Sequence, residues 1–322
     1  MMSMKALRFT GKELALDEVE KPSQNDESLV RVVLSGICNT DLEIVRGYAG
    51  FQGTIGHEFV GIVETSPDAP ALVGKRVVGE INVGCGRCDL CLAGDSRHCF
   101  ERTVLGIKGR DGAHAEFLTL PSRNLITVPD DVSNTAAVFA EPLAAAYGIS
   151  EQVKLGRDTK AAVIGDGKLG ILCAICAALD SDNVCLVGKH ASKLAIAEKQ
   201  GIEGILLDDK SSNLNKTFDV VIEASGSESG FATALDLVKP RGKIVLKSTF
   251  QGKPVWEAWR VVVDEITVIG SRCGRMAPAL ELLQEMKVRV DDLIDEEFSL
   301  ANGVKAMECA GQKGALKILL KP

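Results

Sequence analysis

Two hydrophobic patterns follow one another along the chain. Up to about residue 135, short runs rich in β-branched and aromatic residues alternate with Gly, Pro, Asn and Asp, which is typical of strands joined by turns. The predicted strands are KALRF, LVRVVLSG, EFVGIVETS, GKRVVGEINV and AEFLTLP. We therefore expect a β-rich unit in this part of the chain.

Beyond about residue 135, apolar segments of helical period lie between short buried runs. The segment VSNTAAVFAEPLAAAYGISEQV predicts a helix. Strand-like AAVIG, NVCLVG, FDVVIEA, GKIVLKS and EITVIGS then alternate with the helix candidates ILCAICAALD, ASKLAIAEKQG and GFATALDLVKPRG. This alternation predicts an α/β fold with a doubly wound parallel sheet. After about Gly274 we predict the helix APALELLQEMK, a polar turn, the helix LANGVKAMECAG and the strand LKILLK.

Composition limits the class of partner. The 322 residues, 46% of them hydrophobic, are enough for two domains. The net charge of -7 argues against a nucleic-acid partner. The N-terminal MMSMKALRFTGKELAL lacks the apolar core of a secretory signal, and no apolar run reaches the roughly 18 residues of a membrane span. We expect a cytoplasmic protein that binds a small molecule and neither a membrane nor a nucleic acid.

A glycine-rich turn predicts a dinucleotide site. In AAVIGDGKLGILCAICAALD, Gly165, Gly167 and Gly170 follow a predicted strand and begin a predicted helix, together with Lys168 and Leu169. The first glycine allows a tight turn, the second lets the backbone approach a pyrophosphate, and the third lets helix and strand pack closely. The phosphates would meet the free N–H groups of the helix N-terminus.

The end of the next strand indicates which dinucleotide binds. NAD-binding folds place a carboxylate there, against the ribose. Here the strand ends in Gly188, followed by Lys189, His190 and Lys193. A glycine would leave space and the lysines would attract a 2′-phosphate, so we favour NADP over NAD. The alternative is that these lysines form an ordinary solvated helix start.

Four of the ten cysteines lie close together in VGCGRCDLCLAGDSRHC. Cys85, Cys88, Cys91 and Cys99 are spaced by three, three and eight positions. In a reducing compartment such a cluster favours metal binding over disulfides. Four thiolates would close a tetrahedral zinc site, so we predict a structural zinc. Replacement of one thiolate by His98 and a C-x-x-C redox centre are the alternatives.

A second, more dispersed set of ligand types occurs in SGICNTDLE and TIGHEFVG. Cys38, His57 and Glu58 offer a thiolate, an imidazole and a carboxylate, a mixture typical of a zinc that keeps one position open. Glu141 lies where the two patterns meet, the place at which active sites tend to form between domains. The alternative is a buried thiol beside a hydrogen-bonded core histidine.

These motifs together resemble the medium-chain, zinc-dependent alcohol and polyol dehydrogenase family. The resemblance covers nearly the whole chain through GICNTD, GHEFVGIV, the four-cysteine loop, DGAHAEFLTLP, VPDDVSNTAAVFAEPLAAA, GDGKLG, EASG and GALKILLKP. It implies a GroES-like β-rich catalytic domain over 1–144, a Rossmann cofactor domain over 145–274 and a return to the catalytic domain over 275–322.

The resemblance also implies a ligand set for a catalytic zinc. Cys38 and His57 match zinc ligands of the family. Glu58 matches the glutamate beside the histidine, which binds the metal either directly or through a neighbour. Glu141 matches a third protein ligand, which is glutamate in polyol-type and sugar-type members.

Two further positions receive a role from the resemblance. Asp41 matches the carboxylate that supports the histidine ligand, and Thr40 matches the hydroxyl that contacts the substrate oxygen and begins a proton relay. Glu43 stands where some members place the relay histidine. We therefore expect the proton to leave through ribose, water or Glu43 itself.

The implied activity is reversible hydride transfer between NAD(P) and a polyol, a sugar-derived alcohol or another secondary alcohol. Two alternatives are a zinc-free quinone or enone reductase of the same superfamily and a non-catalytic NADP-binding protein. Family members pair through the last strand of the cofactor sheet, here EITVIGS, so a dimer or tetramer is expected. Trp256, Trp259 and Arg260 could line either a substrate pocket or a subunit interface.

Overall fold

A computed structural model describes residues 2–23, 26–207, 214–249 and 257–322. Trp256 lies outside the described residues. The chain forms two compact units, one of Met1–Glu141 with Met276–Pro322 and the other of Pro142–Arg275. Among the described residues, no helix has both the length and the apolar character needed to cross a membrane.

The strands in chain order are β1 (Ser3–Phe9), β2 (Leu14–Glu20), β3 (Ser28–Gly36), β4 (Gly53–Thr54), β5 (Glu58–Thr65), β6 (Arg76–Gly79), β7 (Asn82–Val83), β8 (Thr103–Val104), β9 (Phe117–Leu120), β10 (Leu125–Thr127), β11 (Lys160–Ile164), β12 (Asn183–Gly188), β13 (Glu203–Leu206), β14 (Phe218–Glu223), β15 (Val238–Leu246), β16 (Thr267–Gly270), β17 (Ile294–Ser299) and β18 (Lys317–Lys321).

The α-helices are α1 (Asn39–Val45), α2 (Asp89–Leu92), α3 (Asn134–Ala137), α4 (Ala140–Tyr147), α5 (Ile149–Gln152), α6 (Lys168–Ala178), α7 (Ala191–Glu198), α8 (Gly230–Leu237), α9 (Ala258–Val263), α10 (Met276–Gln284) and α11 (Gly303–Ala310). Single turns of 3₁₀-helix, such as Ser96–His98, connect some of them.

The first unit is built on a largely antiparallel sheet in the order β10-β6-β5-β3-β18-β17, with β9 also paired to β3. In its register Gly36 lies opposite both Glu58 and Leu319. The C-terminal strand β18 therefore runs beside the strand that leads into Cys38. Smaller sheets, β2-β1-β4 and β7-β8, complete the unit.

Strand β17 replaces the polar turn expected from the sequence. Its residues IDEEFS are mostly exposed and only Phe298 is buried, so the strand carries almost no hydrophobic signal. It pairs with one neighbour, β18, and its acidic side chains face outward as on other sheet edges. An edge strand of this kind cannot be predicted from the pattern of hydrophobic residues.

The second unit is a parallel sheet in the order β13-β12-β11-β14-β15-β16. Numbered along the unit, this is the strand order of a doubly wound Rossmann sheet. The predicted α/β fold is therefore confirmed. The five apolar runs of the sequence form β11, β12, β14, β15 and β16. Strands β11, β12 and β14 are mostly buried, because both faces of the sheet interior are covered, whereas the edge strand β16 has no buried residue.

Two predicted helices are shorter in the structure. Helix α8 ends at Leu237, and the following VKPRG belongs to β15, since Pro240 cannot continue a helix. The segment predicted as one helix around residues 132–153 forms α3, α4 and α5. Pro142 lies in the first turn of α4, where its missing N–H breaks no helical hydrogen bond.

Candidate metal centres and dinucleotide site

The four-cysteine loop folds into one cluster of thiols. The Sγ atoms of Cys85, Cys88, Cys91 and Cys99 all lie within 4.8 Å of one another, and all four cysteines are free. Gly84 permits this approach, because a Cβ there would lie 2.6 Å from the Cys91 sulfur.

The electrostatics of this loop favour a thiolate at Cys85 and oppose one at Cys91. Backbone N–H groups of Arg87 and Cys88 direct their dipoles at the Cys85 sulfur and lower the pKa of that thiol to about 6. The backbone N–H of Gly86 would lower the pKa of Cys91, but burial and the neighbouring thiols outweigh it and raise that pKa to about 11.

His98 lies outside the cluster, and its Nε2 is 3.8 Å from Asp95 Oδ2. Four convergent sulfurs suit a closed tetrahedral zinc, so the residues present fit the predicted structural metal.

The second ligand set is assembled from two chain segments. Cys38 is the N-cap of helix α1, directly after β3, whereas His57 and Glu58 lead into the neighbouring strand β5. One ligand atom from each of these three residues lies within 4.8 Å of the other two. His57 and Glu58 are buried, and Cys38 is partly exposed.

Asp41 lies beneath this set and contacts both segments. Its Oδ2 accepts a hydrogen bond from the Cys38 N–H (2.8 Å), and its Oδ1 accepts one from the Gly56 N–H (3.2 Å). Oδ1 also lies 3.3 Å from Nδ1 of His57. Asp41 thus lies next to His57, and its role in supporting a zinc ligand stays a prediction.

The buried Asp41 carboxylate and His57 imidazole stabilise each other's charged forms. Burial alone would raise the pKa of Asp41, but neighbouring His57 and His114 outweigh it and hold that pKa well below its ordinary value. Burial likewise opposes protonation of His57, yet Asp41 and Cys38 raise the pKa of His57 well above its ordinary value. Asp41 is thus a fixed anion next to the imidazole.

A buried lysine missed at the sequence level completes the surroundings of Glu58. Lys317, on β18, donates to Glu58 Oε2, and both side chains are fully buried. Its Nζ also lies 3.4 Å from the Ile37 carbonyl oxygen and 5.4 Å from the centre of the Phe139 ring. The motif GALKILLKP contains Lys317, but nothing local marks it as different from Lys321.

One feature of the structure indicates that Cys38, His57 and Glu58 fit a metal ion. Oε1 of Glu58 is buried and has no hydrogen-bond partner among the described residues, while Oε2 is held by Lys317. A buried carboxylate oxygen needs a partner, and a metal ion held jointly by this oxygen, the thiol and the imidazole would supply one. Soft and hard donors together suit zinc.

Three further residues singled out in the sequence, Thr40, Glu43 and Glu141, are not among these three candidate ligands. Thr40 is in the first turn of α1, with its Oγ1 3.7 Å from Cys38 Sγ. Glu43 is buried and pairs with Arg46 at 2.7 Å. Glu141, the second residue of α4, is not part of the group of three, so its role as a ligand stays a prediction.

The predicted glycine turn lies at the carboxyl end of β11, next to the point where the strand order reverses. Gly165 has a φ of +112°, and a Cβ there would be 2.6 Å from Ser225 Cα. A Cβ on Gly170 would lie 1.8 Å from the Gly165 carbonyl oxygen, whereas one on Gly167 would meet no atom within 4 Å. Protein atoms therefore pack closely against Gly165 and Gly170, whereas the space next to Gly167, the N-cap of α6, is open.

The space expected beside Gly188 is filled. A Cβ on Gly188 would lie 2.5 Å from Cβ of Asp166, the residue between the first two glycines of the turn. Asp166 accepts hydrogen bonds from the backbone N–H groups of Lys189 and His190, both at 2.7 Å, and lies 3.0 Å from His190 Nδ1. The strand end thus has a carboxylate after all, supplied by the glycine turn and covered by His190.

The two lysine side chains near this strand end are at least partly exposed. Lys189 is exposed, and Lys193, in the first turn of α7, is half-buried. Burial would raise the pKa of Asp166, but the N–H groups and the ring of His190 outweigh it and lower that pKa. Asp166 anchors the turn that presents the two lysines.

Comparison with known proteins covers both units. Residues 24–130 match the family model of the alcohol dehydrogenase GroES-like domain, and residues 169–287 match that of the zinc-binding dehydrogenases. An L-threonine 3-dehydrogenase of Coxiella burnetii is 33% identical over 273 residues, covering 79% of this chain and 78% of the relative.

Two more similarities extend over essentially the full length. A sorbitol dehydrogenase of Halalkalibacterium halodurans is 28% identical and covers 96% of this chain and 95% of its own. A crystal structure of a putative zinc-binding dehydrogenase from Sinorhizobium meliloti, bound to NADP, has a TM-score of 0.88 at 27% identity, covering 100% of both chains.

Proposed function

The chain belongs to the zinc-binding alcohol dehydrogenase family, and from this premise we propose that it transfers hydride reversibly between NAD(P) and a secondary alcohol of the polyol or sugar-derived class. The observation that carries the proposal is the convergence of Cys38, His57 and the orphaned Oε1 of Glu58. A quinone or enone reductase without zinc has no need of such a set.

Two zinc ions have candidate ligands in this chain. Cys38 and His57, with Glu58 or Glu141, would hold the catalytic ion, and the four-cysteine loop would hold the structural one. When bound, the catalytic zinc would act as a Lewis acid on the substrate oxygen, and the nicotinamide would accept or donate the hydride.

The protein's own residues would handle the proton and the orientation of the ligands. The Thr40 hydroxyl, on the same helical turn as Cys38, would accept the proton of the alcohol. Asp41 would hold His57 and the Cys38 backbone in place through its two oxygens. Glu43 is engaged with Arg46, so we propose that the proton continues to water or to the cofactor ribose.

Substrate class and cofactor preference rest on separate observations. Glutamate at position 141 and the sorbitol and threonine dehydrogenases among the relatives support a polyol or another secondary alcohol as substrate. Lys189 and Lys193, which flank His190, support NADP, as does the NADP-bound Sinorhizobium structure. The Asp166 carboxylate at the strand end is already bound by the N–H groups of Lys189 and His190. Gly165, Gly167 and Gly170, with Lys168 and Leu169, would bind the pyrophosphate.

We further propose a catalytic domain over 1–144, a cofactor domain over 145–274 and a return over 275–322. The protein would be cytoplasmic and would form a dimer or tetramer through β16 (Thr267–Gly270). Analytical ultracentrifugation of the purified protein tests the oligomeric state.

The deciding experiment combines metal analysis with substrate profiling. Zinc-loaded protein is screened with polyols, sugar alcohols and simple secondary alcohols, using NADP and NAD, and its zinc content is measured. We expect about one zinc ion at each of the two sets and turnover with at least one polyol. Cys38→Ser should keep the structural zinc and lose activity by orders of magnitude. Unchanged activity in this variant would remove the catalytic zinc, and absence of any turnover would favour a non-catalytic NADP-binding protein.

A further inference from the structure

We propose that His114 is a positioning residue of the Cys38, His57 and Glu58 set, acting through Asp41. This inference rests on the proposed metal site. His114 belongs to the motif DGAHAEFLTLP, between strands β8 and β9, and its side chain is fully buried. A buried imidazole needs partners for both ring nitrogens, so its neighbours identify its role.

The backbone of His114 is fixed on both sides. Its N–H donates to the Ile55 carbonyl at 3.0 Å, and its own carbonyl accepts from the Leu7 N–H at 2.8 Å. The neighbouring Ala113 N–H donates to the Gly56 carbonyl at 2.8 Å. The segment carrying His114 is therefore attached to the residues that immediately precede His57.

The ring itself lies directly against Gly56. A Cβ at Gly56 would be 2.5 Å from Nδ1, 2.6 Å from Cγ and 2.8 Å from Cε1 of His114, and Gly56 has a φ of +98°. Only glycine satisfies both conditions without displacing the ring. The glycine of the GHE motif thus makes room for a second buried histidine next to this motif.

The two ring nitrogens face Ser35 and Asp41. Nδ1 lies 2.9 Å from Ser35 Oγ, and Nε2 lies 3.6 Å from Asp41 Oδ2. An imidazole that accepts the Ser35 hydroxyl at Nδ1 carries its proton on Nε2, facing the carboxylate. Nε2 has no hydrogen-bond partner within the described parts of the chain, and neither has His57 Nδ1.

Asp41 is consequently shared by two buried histidines. Oδ1 faces His57 and Oδ2 faces His114, while the N–H groups of Cys38 and Gly56 occupy the remaining acceptor positions. Rotation of the carboxylate toward either histidine would carry it away from the other. We infer that His114, whose Nε2 faces Oδ2, fixes the rotation of Asp41 and thereby the orientation of the His57 ring toward a bound metal, as outer neighbours of metal ligands do elsewhere.

The test measures metal retention, which does not depend on substrate. Zinc release from purified full-length protein to the chelator 4-(2-pyridylazo)resorcinol is followed over time, and the cobalt-substituted protein is examined by visible absorption. In His114→Phe, which keeps a ring against Gly56, we expect faster release from the Cys38 set and about 10-fold to 100-fold weaker affinity. We also expect altered cobalt d–d bands, whereas release from the four-cysteine loop should not change.

Two further variants separate positioning from general destabilisation. His114→Gln retains a donor and should recover part of the affinity. Leu120→Ala, at another fully buried position of the same unit, should lower the unfolding midpoint without changing the cobalt bands. The role of His114 would be overturned if His114→Phe showed wild-type zinc release rates and cobalt bands, or if zinc release became equally faster at both metal sets. Neither result would overturn the proposed function. A wild-type protein that binds no metal at the Cys38 set would overturn the proposed function as well.

Discussion

Lys317 and Glu58 form a fully buried ion pair between strands β18 and β5, although 259 positions separate them in the sequence. Glu58 accepts from the lysine through Oε2. Its Oε1 has no hydrogen-bond partner among the described residues. The pair joins the C-terminal strand to the candidate metal ligands, which makes Lys317 the first target for mutation.

Lys317→Met should be strongly destabilising. Removal of the lysine leaves a buried carboxylate uncompensated, and such losses cost about 3–5 kcal/mol. Lys321→Met is the matched control, because Lys321 lies on the same strand in an exposed pair with Glu297 at 3.9 Å, worth about 1 kcal/mol or less. Urea unfolding of metal-free protein measures both variants, and equal midpoints would contradict a structural role for the buried pair.

Cys88→Ser should reduce metal content before it affects catalysis. A closed site tolerates the loss of a thiolate poorly, so the variant should lose the zinc of the four-cysteine loop and unfold at a lower temperature. Freshly loaded protein should retain measurable turnover until it unfolds. Cys309→Ser, outside both clusters, should keep its full zinc content. An immediate loss of turnover by a folded Cys88→Ser protein would instead place the chemistry at this loop.

The three glycines of the turn should respond differently to alanine. Gly170→Ala places a methyl group 1.8 Å from a backbone oxygen and should destabilise the apoprotein by about 1–3 kcal/mol or more. Gly167→Ala meets no protein atom within 4 Å, so it should leave apoprotein stability unchanged and weaken cofactor binding. Differential scanning fluorimetry and cofactor titration compare the two variants. Normal cofactor affinity in Gly167→Ala would show that the pyrophosphate does not approach this residue.

Removing Lys189 and Lys193 should change the preference between the two cofactors. If they bind the 2′-phosphate, the double alanine variant loses charge-assisted hydrogen bonds and the KM for NADPH rises about 10-fold to 100-fold. The KM for NADH, which lacks that phosphate, should stay the same. Lys199→Ala, at the end of α7, serves as a control for net charge. Parallel increases for both cofactors would contradict NADP selectivity at this position.

Asp166→Asn should reveal a pH-dependent contribution to stability. The pKa of Asp166 is lowered in the folded protein, so its ionised form favours folding above the ordinary carboxyl pKa, and this contribution is lost as the pH falls through the lowered value. The asparagine variant should therefore unfold more readily than wild type at pH 7, with the difference shrinking below about pH 4. Urea midpoints at several pH values test this, and a constant difference would assign the loss to packing against Gly188.

Features that depend on short spacings can be predicted from the sequence alone. The change of hydrophobic period near residue 135, the glycine turn and the four cysteines of VGCGRCDLCLAGDSRHC each lie within one contiguous segment. Their chemistry follows from residue type and local backbone geometry. The strand order β13-β12-β11-β14-β15-β16 agrees with the predicted parallel sheet, because the buried strands of such a sheet need continuous apolar runs.

Which distant polar groups share one environment depends on the three-dimensional fold. His114 reaches Ser35 across 79 positions, and Lys317 reaches Glu58 across most of the chain. Asp166 fills the space that Gly188 was expected to leave open. These contacts arise from strand register and from buried groups satisfying one another's charges and hydrogen bonds, and no local pattern in the sequence records such pairings.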